Sequence, residues 1–192
     1  MNSDPRIPRP PAADASQKEE LRSRLLAARR AIDDAARAQW DAALCARVVD
    51  WWRTHRVPAL GVYWPLRGEP DLQPAYGELA RLGVQLLLPV VVERHAPLAF
   101  AHWDIGEPMV RDRMGVAVPA TLRLTGYPPA LLVPCLGFNA GRYRLGYGGG
   151  FYDRTLAHAP RPVAVGIAYA CMEAPFAHDA HDVALDAVLT EA

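Results

Sequence analysis

Apolar residues recur at helical spacing through Leu21, Leu25, Ala28 and Ile32, with Lys18, Arg22, Arg29 and Arg30 interleaved. The pattern predicts a helix beginning near Lys18. Asp33 is placed to cap a second helix carrying Trp40, Leu44, Val48 and Trp51. Pro58 leads into a short apolar strand over 59–63, and Leu72, Ala75, Tyr76, Leu79 and Leu82 define a third helix. Residues 84–92 form a continuous β-branched and leucine run, the mark of a strand covered on both faces. A weaker strand pattern covers 98–103, and residues 104–128 show no period and read as irregular. Residues 130–133 are a short buried strand closed by Pro134. A glycine-rich stretch follows, then a helix over 151–158 and strands over 162–169 and 187–189. Strands alternating with helices predict an α/β sandwich around a mostly parallel sheet.

At 192 residues the chain suits one domain, taken as 17–192, behind a disordered lead-in over 1–16 that holds four prolines. Its 21 basic and 21 acidic side chains cancel, which argues against a protein built to bind a nucleic-acid backbone. No apolar run reaches the ~18 residues of a membrane span, and the start lacks the apolar core of a secretory signal. Cys45, Cys135 and Cys171 are odd in number and contain no CxxC pair, so they read as buried hydrophobes in a reducing compartment. The expectation is a cytoplasmic protein.

The chemistry concentrates in Gly141-Arg-Tyr-Arg-Leu-Gly-Tyr-Gly-Gly-Gly-Phe-Tyr-Asp153-Arg154. Glycines without Cβ atoms let a backbone approach a ligand and point several amides at it. A helix start directly after them adds partial positive charge, so the segment suits phosphate. Arg142, Arg144 and Arg154 add forked donors. The segment is not a P-loop, lacking Gly-Lys-Ser/Thr, nor the dinucleotide fingerprint. The plain alternative is a solvated loop with incidental arginines. Its position between a buried strand and a helix, at the strand edge where α/β sheets bind ligands, favours phosphate. Asp153 would repel that phosphate unless a cation lay between them, which suggests Mg²⁺. Asp179, Asp182 and Asp186 are candidates for a second carboxylate. His178 and His181, three apart with no cysteine pair, make a poor zinc site. Lys18 and Arg22, four apart, share a helix face.

The run Val133-Pro-Cys-Leu-Gly-Phe-Asn-Ala-Gly-Arg-Tyr-Arg-Leu-Gly-Tyr-Gly-Gly-Gly-Phe-Tyr-Asp-Arg-Thr-Leu156 resembles the signature of the 5-formyltetrahydrofolate cyclo-ligase family. Lys18-Glu-Glu-Leu-Arg22 resembles its opening lysine–arginine helix, Tyr63-Trp-Pro-Leu-Arg-Gly-Glu69 its first strand and substrate-binding glutamate, and His181-Asp182 with Leu185-Asp-Ala-Val-Leu-Thr-Glu191 its closing segment. The resemblance implies the three-layer fold of CoA transferases and sugar-phosphate isomerases. It also implies an ATP- and Mg²⁺-dependent ligase of one-carbon metabolism, converting 5-formyltetrahydrofolate to 5,10-methenyltetrahydrofolate with release of ADP and phosphate. By resemblance, Lys18, Arg22, Arg144, Leu145, Gly146, Tyr147, Gly148, Gly149, Gly150, Phe151 and Tyr152 hold ATP, with Lys18 and Arg144 catalytic. Trp64, Glu69 and residues 148–152 touch the folate, and Asp153 and Asp182 match the magnesium ligands. Only small-molecule partners are implied, with no membrane, nucleic acid or obligate protein. Val118 and Met172 depart from the family pattern, replacing glutamate and glutamine, while Asn139 and Pro129 stand where aspartates are common. These departures keep two alternatives open: a catalytically weak paralogue that binds nucleotide or folate, or an enzyme acting on another formyl or pterin substrate.

Overall fold

The computed structural model describes residues 15–192. The lead-in expected over 1–16 lies outside the described residues as far as residue 14, and Ala15 and Ser16 already belong to the first helix. Two helices open the fold, α1 (Ala15–Arg30) and α2 (Asp34–His55). The Asp33 carboxylate accepts from the amides of Ala35 and Ala36 at 3.0 Å each, the expected cap. Then come β1 (Ala59–Gly61), α3 (Gln73–Arg81), β2 (Gln85–Val90) and β3 (Ala99–His102). The segment 104–128, read from sequence as irregular, instead holds β4 (Met109–Arg111), β5 (Ala117–Pro119) and β6 (Leu124–Thr125). Strands of two or three residues carry too few alternations to leave a period. The chain ends with β7 (Ala130–Pro134), a small hairpin of β8 (Gly137–Phe138) and β9 (Arg144–Leu145), α4 (Phe151–Leu156), β10 (Val163–Ile167), a 3₁₀ turn (Ala170–Met172) and β11 (Ala187–Leu189).

The main sheet has seven strands in the order β11-β10-β7-β1-β2-β3-β6. The first five run parallel, and β3 and β6 add antiparallel edges. From β1 the chain passes through α3 to β2 on one side, and from β7 through α4 to β10 on the other. Right-handed crossovers therefore place α3 and α4 on opposite faces, giving the three-layer α/β sandwich expected from sequence. The reversal falls between β1 and β7, the switch point at which the connections leaving their C-terminal ends turn to opposite faces. Both exit loops matter: β1 leads to Trp64 and Glu69, and β7 leads to the glycine-rich segment.

The inward stripe of α1 is Lys18, Leu21, Leu25 and Arg29. Arg29 thus takes the position for which the hydrophobic pattern suggested Ala28, which is exposed. An apolar middle with a cation at each end aims two charges into the interior, and each must find a partner there.

Close packing at the switch point depends on Gly61. A Cβ there would lie 2.2 Å from Cδ2 of the buried Leu131 in the neighbouring strand and 3.0 Å from Cγ of Pro128. Gly61→Ala is expected to destabilise the fold by about 1–3 kcal/mol through overpacking. Urea unfolding checks this: the midpoint should fall with the slope unchanged.

Candidate functional site at the switch point

Three polar assemblies meet around the glycine-rich segment. At the N-terminal end of α1, Lys18 Nζ donates to Asp179 Oδ2 at 2.7 Å and Asp182 Oδ2 at 3.1 Å. Burial disfavours its charge, but the hydrogen bonds and charges of both aspartates outweigh that, and its pKa stands above the ordinary 10.5. The Asp179 amide also donates to Asp182 at 2.8 Å, so these carboxylates form a compact turn facing α1. One helical turn on, Arg22 Nε donates to the Gly146 carbonyl at 2.9 Å and fastens the loop to the helix.

In the second assembly, Arg144 Nη2 donates to Asp153 Oδ2 at 2.7 Å, and the arginine side chain is only 6% exposed. Its guanidinium lies over the Tyr152 ring, 5.3 Å from the centroid. Arg144 Nε is buried with no acceptor, an unsatisfied charged donor within the loop. Gly148 (φ 91°) and Gly150 (φ 65°) carry the chain through the left-handed region between Arg144 and α4. The side chains of Arg22 and Arg154 approach these two glycines.

The third assembly surrounds Glu69, which is 5% exposed. Positive φ at both Arg67 and Gly68 marks a tight turn, closed by the Glu69 amide donating to the Leu66 carbonyl at 2.9 Å. The turn folds the carboxylate back, so that Oε2 accepts from the Leu66 amide at 2.9 Å. Oε1 accepts from the Tyr147 hydroxyl at 2.8 Å, and that hydroxyl also accepts from Arg29 Nη2. Burial raises the Glu69 pKa above its ordinary 4.5, although the Leu66 amide, Tyr147, Arg29 and Arg67 pull the other way. Trp64 sits beside this loop, edge-on to the buried Trp103 at 5.8 Å between ring centroids.

The residues singled out from sequence are distributed among these assemblies. Leu145 is buried in the core, and its backbone pairs with Gly137, so it offers the site no side chain. Tyr147 turns towards Glu69 and Arg29 rather than towards Arg144. Phe151 lies under the Arg154 guanidinium. Asp153 and Asp182 each face a different cation. Among the described residues no group of three or more His, Cys, Asp or Glu side chains is arranged to hold a metal ion. Arg29 and Trp103 were not singled out from sequence, whereas Asp179, a sequence candidate for a second carboxylate, pairs with Lys18. For Arg29 a signal existed, its place four residues after Leu25 in the inward stripe. Trp103 Nε1 is a buried donor without a partner, and nothing in the local sequence marks it.

Fold and site together define a doubly wound α/β protein with a basic glycine-rich loop opposite a buried carboxylate at its switch point. The chain belongs to the 5-formyltetrahydrofolate cyclo-ligase family, whose sequence model matches residues 14–191; it is an enzyme, a ligase. It is 32% identical over 185 residues to the 5-formyltetrahydrofolate cyclo-ligase of Mycolicibacterium smegmatis, covering 90% of this chain and 93% of that one. A shorter stretch of 61 residues is 43% identical to the Mycoplasma pneumoniae cyclo-ligase, covering 31% of this chain and 37% of that one. The NMR structure of Aquifex aeolicus 5,10-methenyltetrahydrofolate synthetase is similar at TM-score 0.79 and 25% identity, over 91% of this chain and 89% of that one. Among the described residues no helix is long and apolar enough to cross a membrane.

The raised pKa of Glu69 fixes a linkage of definite sign. The folded state binds its proton more tightly than the unfolded state does. The contribution is therefore fully present below about pH 4.5 and lost as pH rises through the folded value. Glu69→Gln removes this titration. Its thermal midpoint relative to wild type should rise as pH increases from acidic to neutral, as read by calorimetric scans of both proteins.

Proposed function

We propose that the protein converts 5-formyltetrahydrofolate to 5,10-methenyltetrahydrofolate with hydrolysis of ATP to ADP and phosphate, in the presence of Mg²⁺. One observation carries the reading: a single loop faces basic side chains at one end and a buried carboxylate at the other. Through Gly146 and Arg144 it meets cations suited to a triphosphate, and through Tyr147 it meets Glu69, an acceptor suited to pterin N–H groups. The Arg144 Nε donor without an acceptor is what a phosphate oxygen would satisfy. The family relationship supports the same assignment.

In this reading Lys18, Arg22 and Arg144 hold the phosphates in line with the formyl oxygen and neutralise charge on the transferring group. The γ-phosphoryl passes to that oxygen, N10 attacks the activated carbon, and phosphate leaves with the oxygen. Glu69 orients the pterin, with Trp64 beside it. The loop amides of 148–152 border both substrates and exclude water. Asp153 and Asp182 are the residues that would hold a magnesium ion, which takes one or two carboxylates, completes its shell with phosphate and water, and needs no protein cage. Among the described residues no side-chain hydrogen bond reaches Asp153 Oδ1, whereas Oδ2 is held by Arg144. The ion, when bound, would screen the phosphate charges.

The test mixes protein, Mg-ATP and 5-formyltetrahydrofolate and follows the near-ultraviolet absorbance of the methenyl product. Absorbance should rise only when all components are present, and a flat trace would overturn the assignment. Lys18→Met should weaken ATP binding about tenfold or more, the scale of one lost charge-assisted contact. Asp153→Asn keeps an acceptor for Arg144 and should abolish the magnesium dependence of that binding. Titration calorimetry with ATP, with and without magnesium, reads both variants.

A further inference from the structure

The hydrogen-bond acceptor that the proposed function assigns to the pterin is already taken. Glu69 Oε1 accepts from the Tyr147 hydroxyl at 2.8 Å, and Oε2 from the Leu66 amide at 2.9 Å. The Tyr147 hydroxyl accepts in turn from Arg29 Nη2. Arg29 is 1% exposed, its Nε donates to the Arg67 carbonyl at 3.2 Å, and its Nη1 is buried without an acceptor. A buried guanidinium, a phenol and a buried carboxylate thus form one chain of polar contacts linking α1, the glycine-rich loop and the β1 exit loop.

We propose that Tyr147 is the latch of the Glu69 pocket: its hydroxyl, anchored by Arg29, occupies the carboxylate oxygen that an N–H donor of the substrate must take, so binding exchanges the phenol for the ligand. The proposal rests on the folate reading of the site. Three features suit Tyr147 to the part. It stands between Gly146 and Gly148, so its backbone can turn at little steric cost. The residue is 38% exposed although its hydroxyl bonds to the buried Glu69 and Arg29, so a way out to solvent exists. The Arg29 and Arg67 guanidiniums lie over the ring, 5.8 and 5.1 Å from its centroid, cationic contacts that hold it in place while its hydroxyl occupies Glu69 Oε1. Burial and the Glu69 charge raise its pKa, so the phenol stays protonated and donates. Arg29 acts through Tyr147 and is a positioning residue. Its orphaned Nη1 is a second donor that the closed loop leaves without a use.

The latch has a pH signature besides its steric one. Tyr147, the Leu66 amide, Arg29 and Arg67 lower the Glu69 pKa against burial, while Tyr63, Tyr152 and Cys135 also feel its charge. Removing the hydroxyl removes one group that favours the ionised form. A Tyr147→Phe protein should bind 5-formyltetrahydrofolate more tightly at mildly alkaline pH, because nothing need be displaced. It should lose that binding at a higher pH than wild type as the solution is acidified.

The test uses the full chain as wild type and Tyr147→Phe. Hydrogen–deuterium exchange of amides 146–150 without ligand should be faster in the variant. Calorimetry should show 5-formyltetrahydrofolate held more tightly at alkaline pH by about tenfold or more, the scale of one hydrogen bond to a charged group that need no longer be broken. A residue with only a structural role would weaken binding and leave its acid limb where it stands in wild type. Unchanged exchange, or affinity equal to or below wild type at alkaline pH, overturns the latch. If wild type takes up no 5-formyltetrahydrofolate, the functional reading falls. In that case the exchange of Tyr147→Phe alone decides whether the loop is latched.

Discussion

A cation carried into the interior on a helix face must meet an acceptor there, or the helix cannot pack. Much of this site follows from that requirement acting on α1. Its inward stripe ends in Lys18 on one side and Arg29 on the other, with Leu21 and Leu25 seating the helix between them. Lys18 draws the Asp179–Asp182 turn against the helix, and Arg29 draws in Tyr147 and the Arg67 carbonyl. Arg22, beside the stripe, takes the Gly146 carbonyl. Segments more than a hundred residues away are thereby fixed around one helix, and the loop after β7 gains a defined closed form. Its glycines alone would leave it mobile.

Elements long enough to show a period were legible in the sequence. Asp33 caps α2 as its type and position foretold, and the run through β2 pairs on both sides within the sheet. The glycine-rich loop was legible because its composition is unusual and its place after a buried strand is diagnostic. The edge beyond β3 was not, since β4, β5 and β6 owe their existence to pairing partners and not to local pattern. The Glu69 assembly was hidden for a similar reason. Its contacts join residues 78 and 118 positions apart, and no local rule connects a tyrosine between glycines to an arginine in a helix.

The departures from the family pattern gain a physical context. Val118 packs with Val90 and Ala101 in a small apolar cluster where β5 lies against the main sheet. Met172, the last residue of the 3₁₀ turn that follows β10, is buried in the main core. In these surroundings a glutamate or glutamine would need a polar partner, and an apolar side chain needs none. Asn139 keeps a polar role: its side-chain oxygen accepts from the Tyr143 amide at 3.0 Å, and its Nδ2 donates to the Phe176 carbonyl at 2.9 Å. It thereby ties the β8–β9 turn to the segment that delivers Asp179.

The internal pairs also bear on how such a site stays folded without ligand. A pocket able to receive a polyanion and a polar heterocycle needs concentrated charge, and uncompensated charge of one sign works against compact structure. Here most charges that the proposed function assigns to a ligand are held by a protein group of opposite character: Lys18 by Asp179 and Asp182, Arg144 by Asp153, Glu69 by Tyr147 beside Arg29. Under the proposed function, ligand binding is an exchange of partners and not the creation of new ones. The net gain per contact is correspondingly small, while the geometry is set in advance and little ordering remains to be done. The donors left over, Arg144 Nε and Arg29 Nη1, are the places where that exchange is incomplete. There an incoming acceptor finds a charge with nothing to give up.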